Sequence, residues 1–495
     1  MSPISISITI ITYFIILFAI SYIAGRKADN EGFFVGNRKS SWYVVAFAMI
    51  GSTISGVTFV SVPGMVQTSS FSYLQMVLGF FVGQVIIAFL LVPLFYRMNL
   101  VSIYEYLENR FGVSSYKTGA WFFFISKMLG AAVRLFLVCL TLQLLIFEPF
   151  HLPFILNVVL TVFIVWLYTF RGGVKSLIWT DVLKTFCLVV SVVLCICFIA
   201  SSLQLNLSGL VNTISESDYS KMFFFDDIND KRYFFKQFLA GVFTVIAMNG
   251  LDQDMMQRNL SCKNFRDSQK NMITSGISQF IVILLFLMLG VLLYTFVTRQ
   301  GIVNPGKSDE LFPLIATGSY FPSIVGILFI IGLIASAYSA AGSALTALTT
   351  SFTVDILNAK KKEEAALSKI RKHVHIGMAV VMGVVIFVFN LLNNTSVIDA
   401  IYTLASYTYG PILGLFAFGI FTKKQVYDKY IPLVAILSPV LCYILQRNSE
   451  RWFNGYQFSY ELLLFNAAFT FLGLCLLIGK KAAKSNADSS TKNIQ

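Results

Sequence analysis

The stretch MIGSTISGVT, Met49 to Thr58, lies inside an apolar run long enough to cross a bilayer, yet it holds two glycines and four hydroxyl side chains, Ser52, Thr53, Ser55 and Thr58. Glycine weakens a helix interior, and serine and threonine compete with the backbone for its hydrogen bonds. A helix is interrupted inside a bilayer only where it is buried in protein or lines a watery cavity. The stretch therefore predicts a break near Gly51–Gly56, whose freed carbonyls could hold a small cation. Close helix packing through small residues is the alternative reading.

The surrounding chain supports a membrane setting. Of 495 residues, 57% are hydrophobic and 12% charged, and the mean hydropathy is +0.75. Soluble domains carry about 25% charged residues. A spanning helix needs roughly 20 apolar residues. Thirteen runs approach that length: 5–25, 44–70, 73–97, 118–147, 153–170, 175–202, 236–258, 270–298, 322–355, 370–392, 397–420, 429–446 and 459–479. The expectation is one all-α membrane domain over 1–479, with a polar, disordered cytoplasmic tail over 480–495.

The first run has Arg26 and Lys27 after it and no basic residue before it, so it reads as a retained helix with its N-terminus outside. Alternating from there, the inside segments hold 26 of the 37 Lys and Arg residues and the outside segments hold 8. This is the positive-inside pattern. The net charge of +13 is thereby a topology signal spread over short segments, which excludes a nucleic-acid stripe. The expected location is a bacterial inner (plasma) membrane, with the C-terminus cytoplasmic. The seven cysteines form no disulfide framework, and six of them lie in the apolar runs. His373 and His375 in KHVH read as part of a solvated basic membrane edge. The outside loop 203–236 could hold a short surface helix.

A second interruption, AMNGLDQD, falls at Asn249-Gly250 in run 236–258. Counted from the second run, the interrupted runs open two successive sets of five. Because five is odd, the second set is inverted relative to the first. Paired interruptions at matching positions point to a transporter built from inverted repeats, here 44–202 and 236–420. Run 5–25 then precedes the repeats, and helices 12 and 13 (429–479) follow them. Run 322–355 adds Ser336, Ser339 and Ser343, spaced three and four apart on one helical face. Their oxygens suit a hard cation such as Na⁺. The ionisable residues read as intramembrane are Lys127, Arg134, Asp181 and Lys184. Such residues are expensive at that depth and are functional candidates. Asp181 and Lys184 could pair at i, i+3; Arg134 could offer a fork to a carboxylate; Lys127 reads as snorkelling.

These residues carry a resemblance. EGFFVGNRKSSWYVVAFAMIGSTISGVTFVSVPG, SIYEYLENRFG, RGGVKSLIWTDVL, DQDMMQRNLSCKN, GLIASAYSAAGSALTALTTSFTVDIL and GPILGLFAFGIFTKK occur in that order between about residues 20 and 425. Together they resemble the sodium:solute symporter family, relatives of the sodium–glucose, proline and sialic-acid carriers. The resemblance implies a leucine-transporter-like fold with 13 transmembrane helices: one extra N-terminal helix, an inverted 5+5 repeat and two extra C-terminal helices. It implies Na⁺-coupled symport of a small organic solute by alternating access, with Na⁺ as coupling ion and no other cofactor. It places sodium on the carbonyls of Gly51, Ile54 and Ser336 and the hydroxyl of Ser339, with Asp181 nearby and Ser343 matching a ligand of a second sodium.

Three positions depart from that pattern: Ala340 replaces an expected serine, Gly342 removes a second-sodium side chain, and Lys184 stands where glutamine is usual. A lysine one turn from Asp181 would repel a sodium ion, so a proton-coupled or sodium-independent carrier with Lys184 in the cation's place is the alternative coupling. For the solute, Ser55, Thr58, Tyr73, Gln75, Arg134 and Asn249 are the candidate contacts. Met248-Asn249 stands where sugar-carrying relatives have aromatics, which disfavours a stacked sugar. Arg134 favours a sugar acid or other carboxylate, although relatives of that kind have their arginine at the position of Gly130. An enzyme would need converging catalytic groups at depth, and none are found. A membrane sensor would need an attached signalling module, for which the segment after 479 leaves no room. A channel fits paired broken helices less well than alternating access. The expected partners are the solute, Na⁺ and lipid, with the chain acting as a monomer.

Overall fold

The computed structural model describes residues 3–25, 42–98, 103–169, 174–304, 306, 308–357, 364–392 and 397–479. In chain order the helices are α1 Pro3–Gly25, α2 Trp42–Thr53, α3 Gly56–Ser69, α4 Tyr73–Ile86, α5 Val92–Met98, α6 Glu105–Arg110, α7 Val113–Leu142, α8 Phe154–Thr169, α9 Val174–Ser202 and α10 Leu207–Ser215. They continue with α11 Phe234–Val245, α12 Gln253–Asn259, α13 Phe265–Gln300, α14 Leu311–Thr317, α15 Ser323–Ser351, α16 Glu364–Leu392, α17 Val397–Thr408, α18 Gly410–Phe421, α19 Ile431–Trp452 and α20 Leu462–Leu476. Helix α10 is the short surface helix expected within 203–236.

Among the described residues, seven helices are long and apolar enough to cross a membrane, or eight if α17 and α18, bent by 46°, make one span. The remaining apolar runs fall on shorter or interrupted helices. Wide π turns continue four helices without a stop, Ile87–Leu91 after α4, Gln143–Phe147 after α7, Ile246–Gly250 after α11 and Phe352–Ile356 after α15.

Lipid tails are as apolar as leucine, so membrane helices associate by close van der Waals fit and by polar contacts. Both are visible. Helices α4 and α11 run side by side in the same direction with their backbones touching. A Cβ on Gly79 would fall 2.1 Å from the Phe238 carbonyl oxygen, and one on Gly241 would fall 2.1 Å from that of Met76. Helices α3 and α13 meet in the same manner, with a Cβ on Gly290 falling 2.6 Å from the Pro63 oxygen. Phe59 of α3 then packs its ring 5.0 to 5.7 Å from those of Phe312, Phe329 and Phe286. That aromatic core fixes the second half of the broken helix.

His375 departs from the solvated edge expected of KHVH. It is buried on α16 and bridges Thr169 of α8 (3.0 Å) and Thr349 of α15 (2.9 Å). His373 is exposed.

Candidate functional site

The interruption in Met49–Thr58 falls at Ile54 and Ser55, between α2 and α3. Ser55 caps α3, accepting on its hydroxyl from the Thr58 N–H at 3.5 Å. With helix ending at Thr53 and resuming at Gly56, the carbonyls at the end of α2 lose their helical donors. Gly51 and Ile54 are both buried there. The break lies against α15: a Cβ on Gly56 would sit 3.3 Å from the Leu333 carbonyl oxygen and 3.6 Å from Ser336 Cβ. Ser336, Ser339 and Ser343 are all buried, and the Ser336 hydroxyl has no hydrogen-bond partner among the described residues. A desolvated oxygen beside a helix break is chemistry that suits a hard cation. Asp181 and Lys184 fall on α9, and their side chains lie outside the described ones, as does that of Ser52.

The second interruption lies one to two residues beyond the Asn249-Gly250 expected from the sequence. The π turn keeps Asn249 and Gly250 helical, and the chain leaves the helix at Leu251 and Asp252. Asp252 caps α12, accepting from the N–H groups of Asp254 (2.9 Å) and Met255 (3.2 Å).

Between the two breaks lies a cavity of about 100 Å³. Thr53, Ser55 and Thr58 line it from the first break, Thr244, Asn249 and Asp252 from the second, Gln279 from α13 and Tyr402 from α17. Helix α7 presents Ser126, Lys127, Gly130 and Arg134. Four of the six expected solute contacts, Ser55, Thr58, Arg134 and Asn249, meet here. Tyr73 stands one layer back, its hydroxyl 2.7 Å from that of Tyr402. Gln75 is turned away from the cavity. Its amide nitrogen donates to the Arg232 carbonyl (2.8 Å) and its oxygen accepts from the Phe224 N–H (3.1 Å), so it pins the loop before α11.

Arg134 is half-buried and has neither an ion pair nor a hydrogen bond among the described residues. Helical side chains lean towards the N-terminus. Its guanidinium accordingly lies back over Gly130, with one terminal nitrogen 3.9 Å from where a Cβ on that residue would be. The charge thus lies level with Gly130, one turn from where an arginine at that position would carry its own.

Lys127 does not snorkel. It is 6% exposed, and its ammonium lies 3.1 Å from both oxygens of Asp252 and 3.1 Å from Asp254 Oδ2. Asp252 also accepts from the Tyr409 hydroxyl at 2.9 Å. Asp254 accepts from Ser343 at 2.8 Å and faces Arg258 Nε at 3.5 Å. The Ser343 hydroxyl in turn accepts from Arg258 at 2.8 Å. Ser343, expected beside a second sodium, is therefore engaged by a carboxylate and a guanidinium. Within this group two cations balance two carboxylates. Sequence reasoning overlooked Asp252 and Asp254 as buried acids, although both stand in the quoted AMNGLDQD beside the glycine interruption.

Polar contacts flank the cavity at both ends. Tyr73 opens α4 and meets Tyr402 at one end; the Lys127 group, beyond the far end of α11, forms the other.

The chain is 26% identical over 446 residues to the sodium/sialic acid symporter NanT of Aliivibrio fischeri, covering 85% of this chain and 83% of that one. It is 23% identical over 438 residues to the sodium/sialic acid symporter SiaT of Proteus mirabilis, covering 84% and 85%. A solved structure of a Na⁺-coupled sialic acid symporter, in a substrate-bound outward-open state, superposes with a TM-score of 0.79 at 20% identity over 95% of this chain and 97% of that one. The fold is leucine-transporter-like, and the relatives are transporters rather than enzymes. The sodium:solute symporter family model matches residues 33–427, most of the chain, so this multi-pass membrane protein belongs to the sodium:solute symporter family.

Proposed function

We propose that the protein carries a small carboxylate into the cell together with Na⁺ by alternating access. The observation that carries this reading is Arg134. The charges of Lys127 and Arg258 are balanced by Asp252 and Asp254, which leaves Arg134 as the uncompensated charge among the described groups at the cavity. A half-buried cation without a counter-ion carries a desolvation cost, and a solute carboxylate would supply two acceptors for its planar fork. Sialic acid, named for the two relatives, is itself a carboxylate. Ser55, Thr58 and Asn249 would bind the polar remainder of the solute.

Sodium would sit where the α2–α3 break faces α15, on the carbonyls of Gly51, Ile54 and Ser336 and the hydroxyl of Ser339, with Asp181 beside them. Thirteen spans with the N-terminus outside, in a bacterial inner membrane, complete the reading. The reciprocal packing of α4 on α11 and of α3 on α13 supports two inverted repeats, since the second helix of each set lies against the first of the other. Alternating access would open one of the two sets of polar contacts at a time.

The test is uptake of [¹⁴C]sialic acid, [¹⁴C]pyruvate and [¹⁴C]glucose into proteoliposomes, with and without an inward Na⁺ gradient. Na⁺-driven accumulation of an acid but not of glucose is the expected result. Glucose carried in preference to both acids would refute the carboxylate, and acid uptake indifferent to Na⁺ would refute the coupling.

A further inference from the structure

The Lys127 group contains one exchangeable member. Asp252 keeps three other donors, the Tyr409 hydroxyl and the N–H groups of Asp254 and Met255. Asp254 keeps Ser343 and Arg258. If the ammonium left, both carboxylates would keep hydrogen-bond donors, and Asp254 would keep a counter-ion as well. Lys127, by contrast, has the two carboxylates as its partners and needs an anion wherever it goes at that depth. It lines the same cavity as Arg134, seven residues away on the same face of α7, a rise of about 10 Å. Between them Gly130 presents no side chain, so the wall joining the two cations is smooth.

We propose that Lys127 is a second carboxylate station for the solute. The anion passes from Arg134 to Lys127 and takes the place that Asp252 and Asp254 hold on the ammonium here, which lets the cavity open at the Arg258 end. The exchange is of ionic partners only; no bond forms or breaks. It also ties opening to occupancy, because the carboxylate that arrives is the one that releases α12 from α7. The inference rests on the carboxylate reading given above.

A purely structural clasp and an anion station make opposite predictions. If Lys127 only fastens α7 to α12, then Lys127→Gln and Asp254→Asn loosen the same link and shift transport in the same direction. If Lys127 binds the solute, Asp254 is its competitor and the two changes act oppositely. The measurement is the half-saturation for exchange from the Arg258 end, in proteoliposomes of fixed orientation, with [¹⁴C]sialic acid and [¹⁴C]pyruvate as probes. Lys127→Gln is expected to raise it at least tenfold, Asp254→Asn to lower it at least threefold, and Lys127→Arg to stay within threefold of wild type. Shifts of the same sign, or no shift in Lys127→Gln, overturn the proposal. Should Lys127→Gln not fold, a raised or unchanged half-saturation in Asp254→Asn suffices to overturn it. Wild-type protein that carries neither acid fails the carboxylate reading itself, an outcome visible before any variant is made.

Discussion

Replacing Arg134 with glutamine isolates the charge that defines the cavity. The guanidinium has no ion pair or hydrogen bond among the described residues, so its removal strands no buried acid, and the variant is expected to fold as the parent does. What is lost is the interaction with an incoming carboxylate. A hydrogen bond to a charged group contributes about 1.5–3 kcal/mol. At about 1.4 kcal/mol per factor of ten, half-saturation for the acid should rise about 10- to 150-fold. Arg134→Lys keeps the charge but loses the planar fork, and should fall between the two. The assay is initial-rate uptake of [¹⁴C]sialic acid and [¹⁴C]pyruvate into proteoliposomes at saturating Na⁺, with protein content matched by size-exclusion profile. A rise of less than threefold in Arg134→Gln would show that the carboxylate is held elsewhere.

Gly241→Ala should destabilise the fold by about 1–3 kcal/mol, because its Cβ would meet the Met76 oxygen at 2.1 Å and push α4 away from α11. Gly377→Ala, with nothing within 4 Å, should leave the melting temperature in detergent level or slightly raised; equal effects of the two would contradict the packing described. Gln75→Ala removes the anchor of the segment before α11, leaving the Phe224 N–H and Arg232 carbonyl unmatched. Trypsin should then cut faster at Lys221, Lys231 or Arg232, and an unchanged cleavage rate would count against the anchor. Burial, with Asp267 adding to it, pushes the Cys262 thiol up to about 12. At pH 7.5 it is almost wholly protonated and hence unreactive, so peptide mapping after N-ethylmaleimide should find it unmodified until the protein is denatured.

The first break was legible because its causes are local. Gly51, Gly56 and the hydroxyls between them weaken the helix through their own chemistry, and the chain leaves it at Ile54 and Ser55. The second break was misplaced by one or two residues. Its position is set by the Asp252 cap and by a π turn that absorbs Asn249-Gly250, and a π turn has no strong sequence signature. Long-range pairing was not legible. Lys127 lies 125 residues from Asp252, so a snorkelling lysine and a paired one look alike along the chain. The same limit hid the role of Gln75, which joins segments 149 and 157 residues apart, and the engagement of Ser343 by Asp254 and Arg258. Arg134 sits four residues from the position at which the resemblance expects an arginine, and the backward lean of a helical side chain puts its charge level with Gly130, still one turn from where that arginine's charge would lie.

Where two helices touch backbone to backbone, there is no rotamer that can swing aside and let one slip past the other. In an alternating-access cycle, the glycine contacts that join α4 to α11 and α3 to α13 would therefore make each pair tilt as one lever. Flexing is left to the places where long side chains reach across, namely the tyrosines at one rim and Lys127 and Arg258 at the other. The stiffness of the carrier is written in its smallest residues, and its freedom to move in some of its largest.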